Sequence, residues 1–513
     1  MTLLLHFIFP PKNMYRTLHP FLFLMLYLGL LSQPLRAQES GCYVPAAESF
    51  LKDSPEKLND AHLIYGIESG ELRNVYAPEM NHRYGVSVSS AYPLGSTRLS
   101  GWAAYIRHYR KGQRYSGMFR PASPLIDFAD TLSGNQKGET YRLAGRIVHA
   151  LSYRWKGGVA AEYLAGNNAK DTDPRNKNSL NQITIAPDVL FHTGPLQLGI
   201  TFSWRHEREN VSYGSFGNET KNGVTFYPLW FYTNESFANG LNAQRDYLSN
   251  FYKATLNLQY HGKTGYTAFR PAYSQNNTRI WINTATKQSG GETAASNFHL
   301  ENLTSVSTSR YLHRFGPSFS HSRHKVYDVQ QQLSADNRIY ETVLKIKRAE
   351  VSYISAGLHY GISPTSCPDE TVKASLEYKK RNSLFRLPPT DFRQEVTQLN
   401  FSAAYTRPFL LFGNVLKGGL QIGYSTGNGS QPDLSLLSDK TGFQLQRHLL
   451  NREFQYLTAS VFDISIKLKY IFHPSNCALK FYIKAQNQFQ TTCNASDGSV
   501  RANSFRFSTG VLF

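Results

Sequence analysis

The stretch YRLAGRIVHALSYRWK, residues Tyr141–Lys156, reads one way along its odd positions and another along its even ones. Tyr141, Leu143, Gly145, Ile147, His149, Leu151, Tyr153 and Trp155 form a largely aromatic and aliphatic row. Arg142, Ala144, Arg146, Val148, Ala150, Ser152, Arg154 and Lys156 form a row that carries three arginines and a lysine. Strand side chains point alternately to opposite faces, whereas a helix would scatter both classes around its circumference. The spacing therefore predicts one two-faced strand over these residues.

The same parity recurs. Tyr252, Ala254, Leu256, Leu258 and Tyr260 alternate with Lys253, Thr255, Asn257 and Gln259. Phe462, Ile464, Ile466, Leu468, Tyr470 and Phe472 alternate with Asp463, Ser465, Lys467 and Lys469, and Leu479 to Gln486 repeat the pattern. Aromatics close the apolar rows, as Tyr252 and Tyr260 do, where a membrane protein places its interfacial girdles. A sandwich or propeller also alternates, so the connections arbitrate. Short ones are expected near Gly157-Gly158, His192 to Pro195, His261 to Gly265, His313 to Ser318, Ile362 to Asp369, Arg407 to Gly413 and His473 to Asn476. Longer polar ones fall between them, near Asn167 to Asn181, Arg208 to Ser249, Gln288 to Asn297, Arg381 to Arg393, Gly429 to Phe454 and Gln490 to Asn503. Short turns alternating with long loops predict an all-β fold: a transmembrane up-and-down antiparallel β-barrel of about 16–18 strands. A propeller would repeat a motif at fixed period, and none is visible.

The N-terminus predicts export. Lys12 and Arg16 precede the apolar run Phe21 to Leu31, Ala37 offers a small-residue exit, and no acid occurs before Glu39. Residues 1–37 thus read as a signal peptide, the apolar run being shorter than the ~20 residues of a spanning helix. Residues 38–83 lack clean alternation and are expected to be a periplasmic lead-in, a small plug or an undetected first strand, with the barrel over 84–513. At the other end Phe505, Phe507, Thr509, Val511 and Phe513 make one face of a closing strand. A terminal strand ending on phenylalanine resembles the signal that barrel-assembly machinery recognises. The cell outer membrane is the expected location.

From about Tyr84 onward the chain resembles the uncharacterised outer-membrane β-barrel families of Bacteroidota. The resemblance rests on the basic strand ending at Trp155-Lys156-Gly157-Gly158, on Asp173-Pro174-Arg175, and on the aromatic C-terminal strand. Such families are domains of unknown function, so the resemblance implies a fold and a membrane and no active site.

The net charge of +19 falls to +16 once residues 1–37 are removed, because Lys12, Arg16 and Arg36 leave with no acid. Dispersal of the basic residues over strand faces and loops argues against a nucleic-acid footprint. Arg142, Arg146, Arg154 and Lys156 are the candidate lumen-lining cations, which would bias a pore toward anions. The competing expectation is that luminal cations neutralise acids inside a filled barrel. Arg110, Lys111, Arg114 and Arg120 are expected to meet lipopolysaccharide phosphates. Among Cys42, Cys367, Cys477 and Cys493, a bond between any two of the first three is topologically feasible, while Cys493 belongs to an outer loop.

Catalytic chemistry is sparse. Ser322 and His324 share a strand face and admit a dyad of the kind a lipid hydrolase needs, but polar lumen residues are the simpler expectation. His321 and His324 stand three apart, which is wrong for one strand face, and no metal or cofactor site is expected. The expected function is permeation or accessory transport of a small, anionic solute, beside a partner receptor or lipoprotein. The alternatives are a surface binding or assembly protein without a channel and a lipid-modifying hydrolase.

Overall fold

The computed structural model describes residues 58–120, 125–214, 221–237, 243–336, 338–435, 442–474, 479–492 and 500–512. Strands β1 (Leu58–Gly70), β2 (Met80–Leu94) and β3 (Thr97–Gln113) precede a short β4 (Asp127–Ala129). Then come β5 (Gly134–Ala150), β6 (Trp155–Lys170), β7 (Arg175–Thr193) and β8 (Leu196–Gly214). A second excursion holds β9 (Lys221–Phe226), a 3₁₀ turn (Pro228–Trp230) and β10 (Tyr232–Phe237). The wall resumes with β11 (Ala243–His261), β12 (Gly265–Asn283), β13 (Gln288–Ser307) and β14 (Tyr311–Leu333). It continues through β15 (Tyr340–Pro364), β16 (Thr371–Leu387), β17 (Thr390–Leu411) and β18 (Asn414–Ser430). Helix α1 (Gly442–Thr458) separates these from β19 (Val461–Phe472), β20 (Lys480–Thr492) and β21 (Arg501–Leu512).

Setting aside β4, β9 and β10, successive strands pair antiparallel in one 18-stranded sheet. The sheet closes where β1 meets β21, from Asp60↔Leu512 to Gly70↔Ala502. Closure leaves no open edge, which is what lets strands cross hydrocarbon with their backbone groups satisfied. No described helix is long and apolar enough to span a membrane, which does not bear on a barrel.

The outer face is apolar around the ring: Leu63, Val86, Leu143, Ile200, Leu376 and Ile466 are all exposed, Leu143 by 59%. Tyr92, Trp155, Tyr260, Tyr311 and Phe409 stand exposed near the short-turn ends of their strands. That band of aliphatics with an aromatic rim suits lipid and would be costly in water.

The strand expected over Tyr141–Lys156 ends earlier than its parity suggests. The chain turns at 151–154, where the Leu151 and Ser152 N–H groups donate to the Trp155 carbonyl at 2.9 and 3.1 Å. The Ser152 hydroxyl also accepts from the Trp155 N–H at 3.1 Å. Parity survives because the tight turn keeps Trp155 on the outside and Lys156 opposite Ala150. Gly157-Gly158 consequently lies in β6, and His313 to Ser318 lies in β14 rather than in a turn. Three expected outer loops are also mostly strand: Gln288 to Asn297 opens β13, Arg381 to Arg393 is β16 and β17 around Pro388-Pro389, and Asn167 to Asn181 turns only at 171–174. Here the wall rises above the apolar belt, so both faces become polar and parity fades while the hydrogen-bond ladder continues.

The ring also begins earlier than Tyr84. Of the stretch 38–83, Leu58–Gly70 and Met80 onward are wall strands. Strand β1 escapes the parity test because Ile64 and Gly66 occupy the row of Asp60, His62 and Glu68. The expected signal peptide over residues 1–37, residues 38–57 and Phe513 lie outside the described residues, as do Cys42, Cys477 and Cys493; Cys367 sits in the connection after β15.

Candidate functional site

The long-loop mouth of the barrel is filled by its own connections. Strands β4, β9 and β10 form a separate sheet, β9 pairing with β10 on one side and with β4 on the other. Phe128, Val224, Phe226, Leu229, Trp230 and Phe231 from these segments join Leu449 and Leu450 of α1 in one buried cluster. Wall residues complete it, from Val211 and Tyr213 on β8 round to Phe385 on β16 and Phe392 on β17. Phe231 stacks on Phe385 with centroids 3.9 Å apart, and Trp230 stacks on Tyr76 at 4.7 Å. Within the connection expected to be polar, Arg208 to Ser249, the aromatic segment Phe226 to Tyr232 turns inward because most of its side chains are apolar.

Directional bonds fix this cap to the wall. The Trp230 indole donates to Glu453 at 3.0 Å, and Arg381 on β16 holds the other oxygen of that carboxylate at 2.8 Å. Lys170 on β6 reaches Asp130 at 2.6 Å with both groups buried. The Phe119 amide donates to Glu209, the Phe128 amide to the Tyr247 hydroxyl at 3.1 Å, and Asn176 and Asn178 both donate to the Gly117 carbonyl. Gly166 leaves room for this seating: a Cβ there would lie 2.4 Å from the Phe119 ring. Leu229 and Trp230 both adopt φ of 60°, a left-handed conformation that non-glycine residues avoid, so packing overrides local preference at the tip of the cap.

One acid in the cap is unusual. Asp127 is buried at 3% exposure and accepts the Gly117 amide at 3.2 Å. Burial pushes its carboxyl up to about 8, against the opposing bonds from Ser116 and Gly117. Among the described residues its Oδ2 has no hydrogen-bond partner. The group is therefore mostly protonated at neutral pH, which avoids the large cost of an unpaired buried charge.

The four candidate lumen cations separate into pairs. Arg142 and Arg146 lie on the inner face, and each meets an acid. Arg142 bonds Glu162 of β6 at 2.7 and 3.0 Å, and Arg146 bonds Asp188 of β7. Lys156 shares the inner face at the start of β6. Arg154 lies in the exposed turn with its guanidinium 4.9 Å from the Tyr153 ring, outside the lumen wall. Of the loop cations, Arg110 is buried and donates to Gln136 and the Phe119 carbonyl, while Arg120 pairs with Glu207. They serve the cap rather than a lipid surface. Arg114 lies over the Tyr115 ring, and Lys111 is exposed at the end of β3.

Ser322 and His324 share the inner side of β14, where the His324 ring meets the Tyr353 edge at 5.6 Å. No hydrogen bond joins the two among the described residues. Nor does any cluster of His, Cys, Asp or Glu there reach metal-binding size. The cap was missed in the sequence because its residues come from four connections far apart along the chain. The signal that could have found it was the density of aromatics in a nominally solvent-exposed loop.

A closed antiparallel wall with an apolar belt and a polar, partly filled interior defines a membrane β-barrel. The chain belongs to a family of unknown function, DUF6850, whose model matches residues 48–513. No curated protein matches it. Among solved structures, the outer membrane transporter YddB from Escherichia coli overlaps with a TM-score of 0.42 at 9% identity, over 89% of this chain and 81% of that one. BauA, the ferric preacinetobactin receptor from Acinetobacter baumannii, overlaps at 0.41 and 8%, over 90% and 80%. The copper transporter OprC overlaps at 0.40 and 8%, over 89% and 80%. Overlaps this loose assign neither cargo nor partner to the present chain.

Proposed function

We propose that the protein is an integral outer-membrane barrel for transport of a small anionic solute, held shut at its long-loop end until the cap is displaced. The observation that carries this reading is the cap itself. Its apolar core binds wall strands from β8 to β17, while inward Lys467 and Lys484 near the short-turn end remain exposed. A ring of 18 strands is wide enough to enclose an aqueous path where nothing fills it. In this reading the aromatic β21 is what barrel-assembly machinery engages, and outer-membrane lipid and lipopolysaccharide surround the belt. A partner receptor or lipoprotein at the long-loop face supplies the work of opening.

A second reading is favoured by the same cap: a surface binding or assembly protein that never opens. Planar-bilayer recordings under a salt gradient separate the two. The native protein is expected to be silent, and a variant with residues 221–237 replaced by a Gly-Ser linker is expected to conduct with anion preference. Silence of a correctly inserted variant would overturn transport in favour of surface binding. Cation preference would remove the anionic cargo.

A further inference from the structure

Three lysines stand in one row on the inner face of adjacent strands. Lys417 on β18 is the cross-strand partner of Lys469 on β19, and Lys469 is the partner of Lys484 on β20. Side chains placed this way have Cβ atoms only about 4.5–5.5 Å apart, and like charges directly opposite one another are destabilising. Lys467 lies two residues along β19 on the same face, opposite Gln486, whose own partner on β21 is Arg506. Lys467 faces Lys484, Lys373 and Arg506 as like charges against Asp463 alone, and Lys469 faces Lys484 and Lys417 against Asp60 alone.

The neighbouring acids are already engaged by other groups. Asp369 takes Lys417 at 2.7 Å, and Glu68 is shared by Arg83 and Arg506. Asp60 accepts from the Tyr482 hydroxyl at 3.0 Å, and Asp463 accepts from Gln488. Among the described residues Lys467 has only the Gln421 amide oxygen at 3.2 Å, and Lys469 only the Tyr482 ring, 4.8 Å from its Nζ. Among the described residues, Lys373, Lys467, Lys469 and Lys484 have no carboxylate within 4.0 Å. Elsewhere on the same inner face, Arg142 and Arg146 are each given an acid. The barrel thus neutralises cations on one side and concentrates unneutralised ones on another, towards the short-turn end.

We infer that this lysine row is a binding site for a small polyanion, a molecule with two or more phosphate or carboxylate groups. Ammonium groups on flexible stems suit such groups as point charges. With Lys417 held by Asp369, the free pair Lys469 and Lys484 stands one strand spacing apart, roughly 5 Å, with Lys467 two residues along β19, close enough for the anionic groups of one small molecule to engage them together. The inference rests on the transport reading for its purpose, but binding is measurable without conductance.

The test is titration calorimetry at low salt on the detergent-solubilised full chain, with pyrophosphate, citrate and acetate as separate probes. Pyrophosphate, citrate or both are expected to bind, and acetate is not. Lys469→Gln and Lys484→Gln are each expected to weaken binding at least tenfold, whereas Arg154→Gln in the distant turn leaves it unchanged. Because the substitutions relieve repulsion, the double variant should melt no lower than the native protein, and the polyanion should raise the melting temperature of the native protein alone. Equal affinity in native and variant proteins, or no binding of either polyanion at millimolar concentration, overturns the site. Binding by a barrel that never conducts keeps the site and removes transport; anion conductance without binding does the reverse.

Discussion

Replacing Trp230 with alanine strikes the point where the cap's apolar core and its polar fastening meet. The side chain is 2% exposed, stacks on Tyr76, meets Phe226 and Tyr115 edge-on, and donates its indole N–H to Glu453. Truncating a fully buried tryptophan costs about 3–5 kcal/mol through lost transfer energy and the cavity left behind. Glu453 keeps Arg381 at 2.8 Å, so it is not left as an unpaired charge, and the middle of that range is the appropriate figure. A loss of about 4 kcal/mol multiplies the open-cap population nearly a thousandfold. The wall has its own closed ladder, so the barrel should remain folded and heat-modifiable on gels. Limited proteolysis in vesicles should then cut W230A within the β8–β11 connection far faster than the native protein, with Trp155→Ala on the outer rim as an unaffected control. Equal cleavage rates for W230A and native protein, with both barrels intact, would refute the claim that this cluster holds the cap in place.

Asp127 makes the cap sensitive to alkali. Its folded value of about 8 lies above that of a free carboxyl, so the folded cap retains a proton that the released one gives up. Cap stability is therefore greatest below about pH 4, falls as pH rises, and levels off above about pH 8. Proteolytic protection measured from pH 5 to 9 should decline steeply for the native protein and less steeply for Asp127→Asn, in which Glu209 and Asp130, also pushed up by burial, still titrate; parallel slopes would contradict the buried-proton account. On the outer wall, Leu63→Arg places a charge in the apolar belt and should cost about 2–4 kcal/mol of folding into lipid vesicles. His62→Arg, on the inner row of the same strand, should cost much less; equal effects would mean that this face does not meet lipid.

Legibility in the sequence followed the periodicity. Where one face meets an apolar phase and the other water, chemistry alternates with the pleat, so β5, β11 and β19 announce themselves along the chain. Where both faces are polar, as in the upper parts of β13 and β16, the backbone ladder persists without a side-chain signature. Strand β1 was obscured by Ile64 and Gly66 on its inner row, although it supplies the partner that β21 needs. The inward direction of Arg142 and Arg146 was readable, but their neutralisation was not, because Glu162 and Asp188 arrive from other strands through register.

Local alternation, short turns and an aromatic last strand were enough to specify a membrane barrel, since each is a property of a few consecutive residues. The ring's size, the cap and the lysine row arise from contacts between segments tens to hundreds of positions apart. Lys417, Lys469 and Lys484 are unremarkable polar-face residues along the chain; only pairing of β18, β19 and β20 sets them side by side. Trp230 reads as a surface aromatic until folding brings Tyr76 and Glu453 against it. Charge and apolarity are encoded residue by residue, but whether a charge is answered or a ring is buried depends on what the closed sheet brings opposite it.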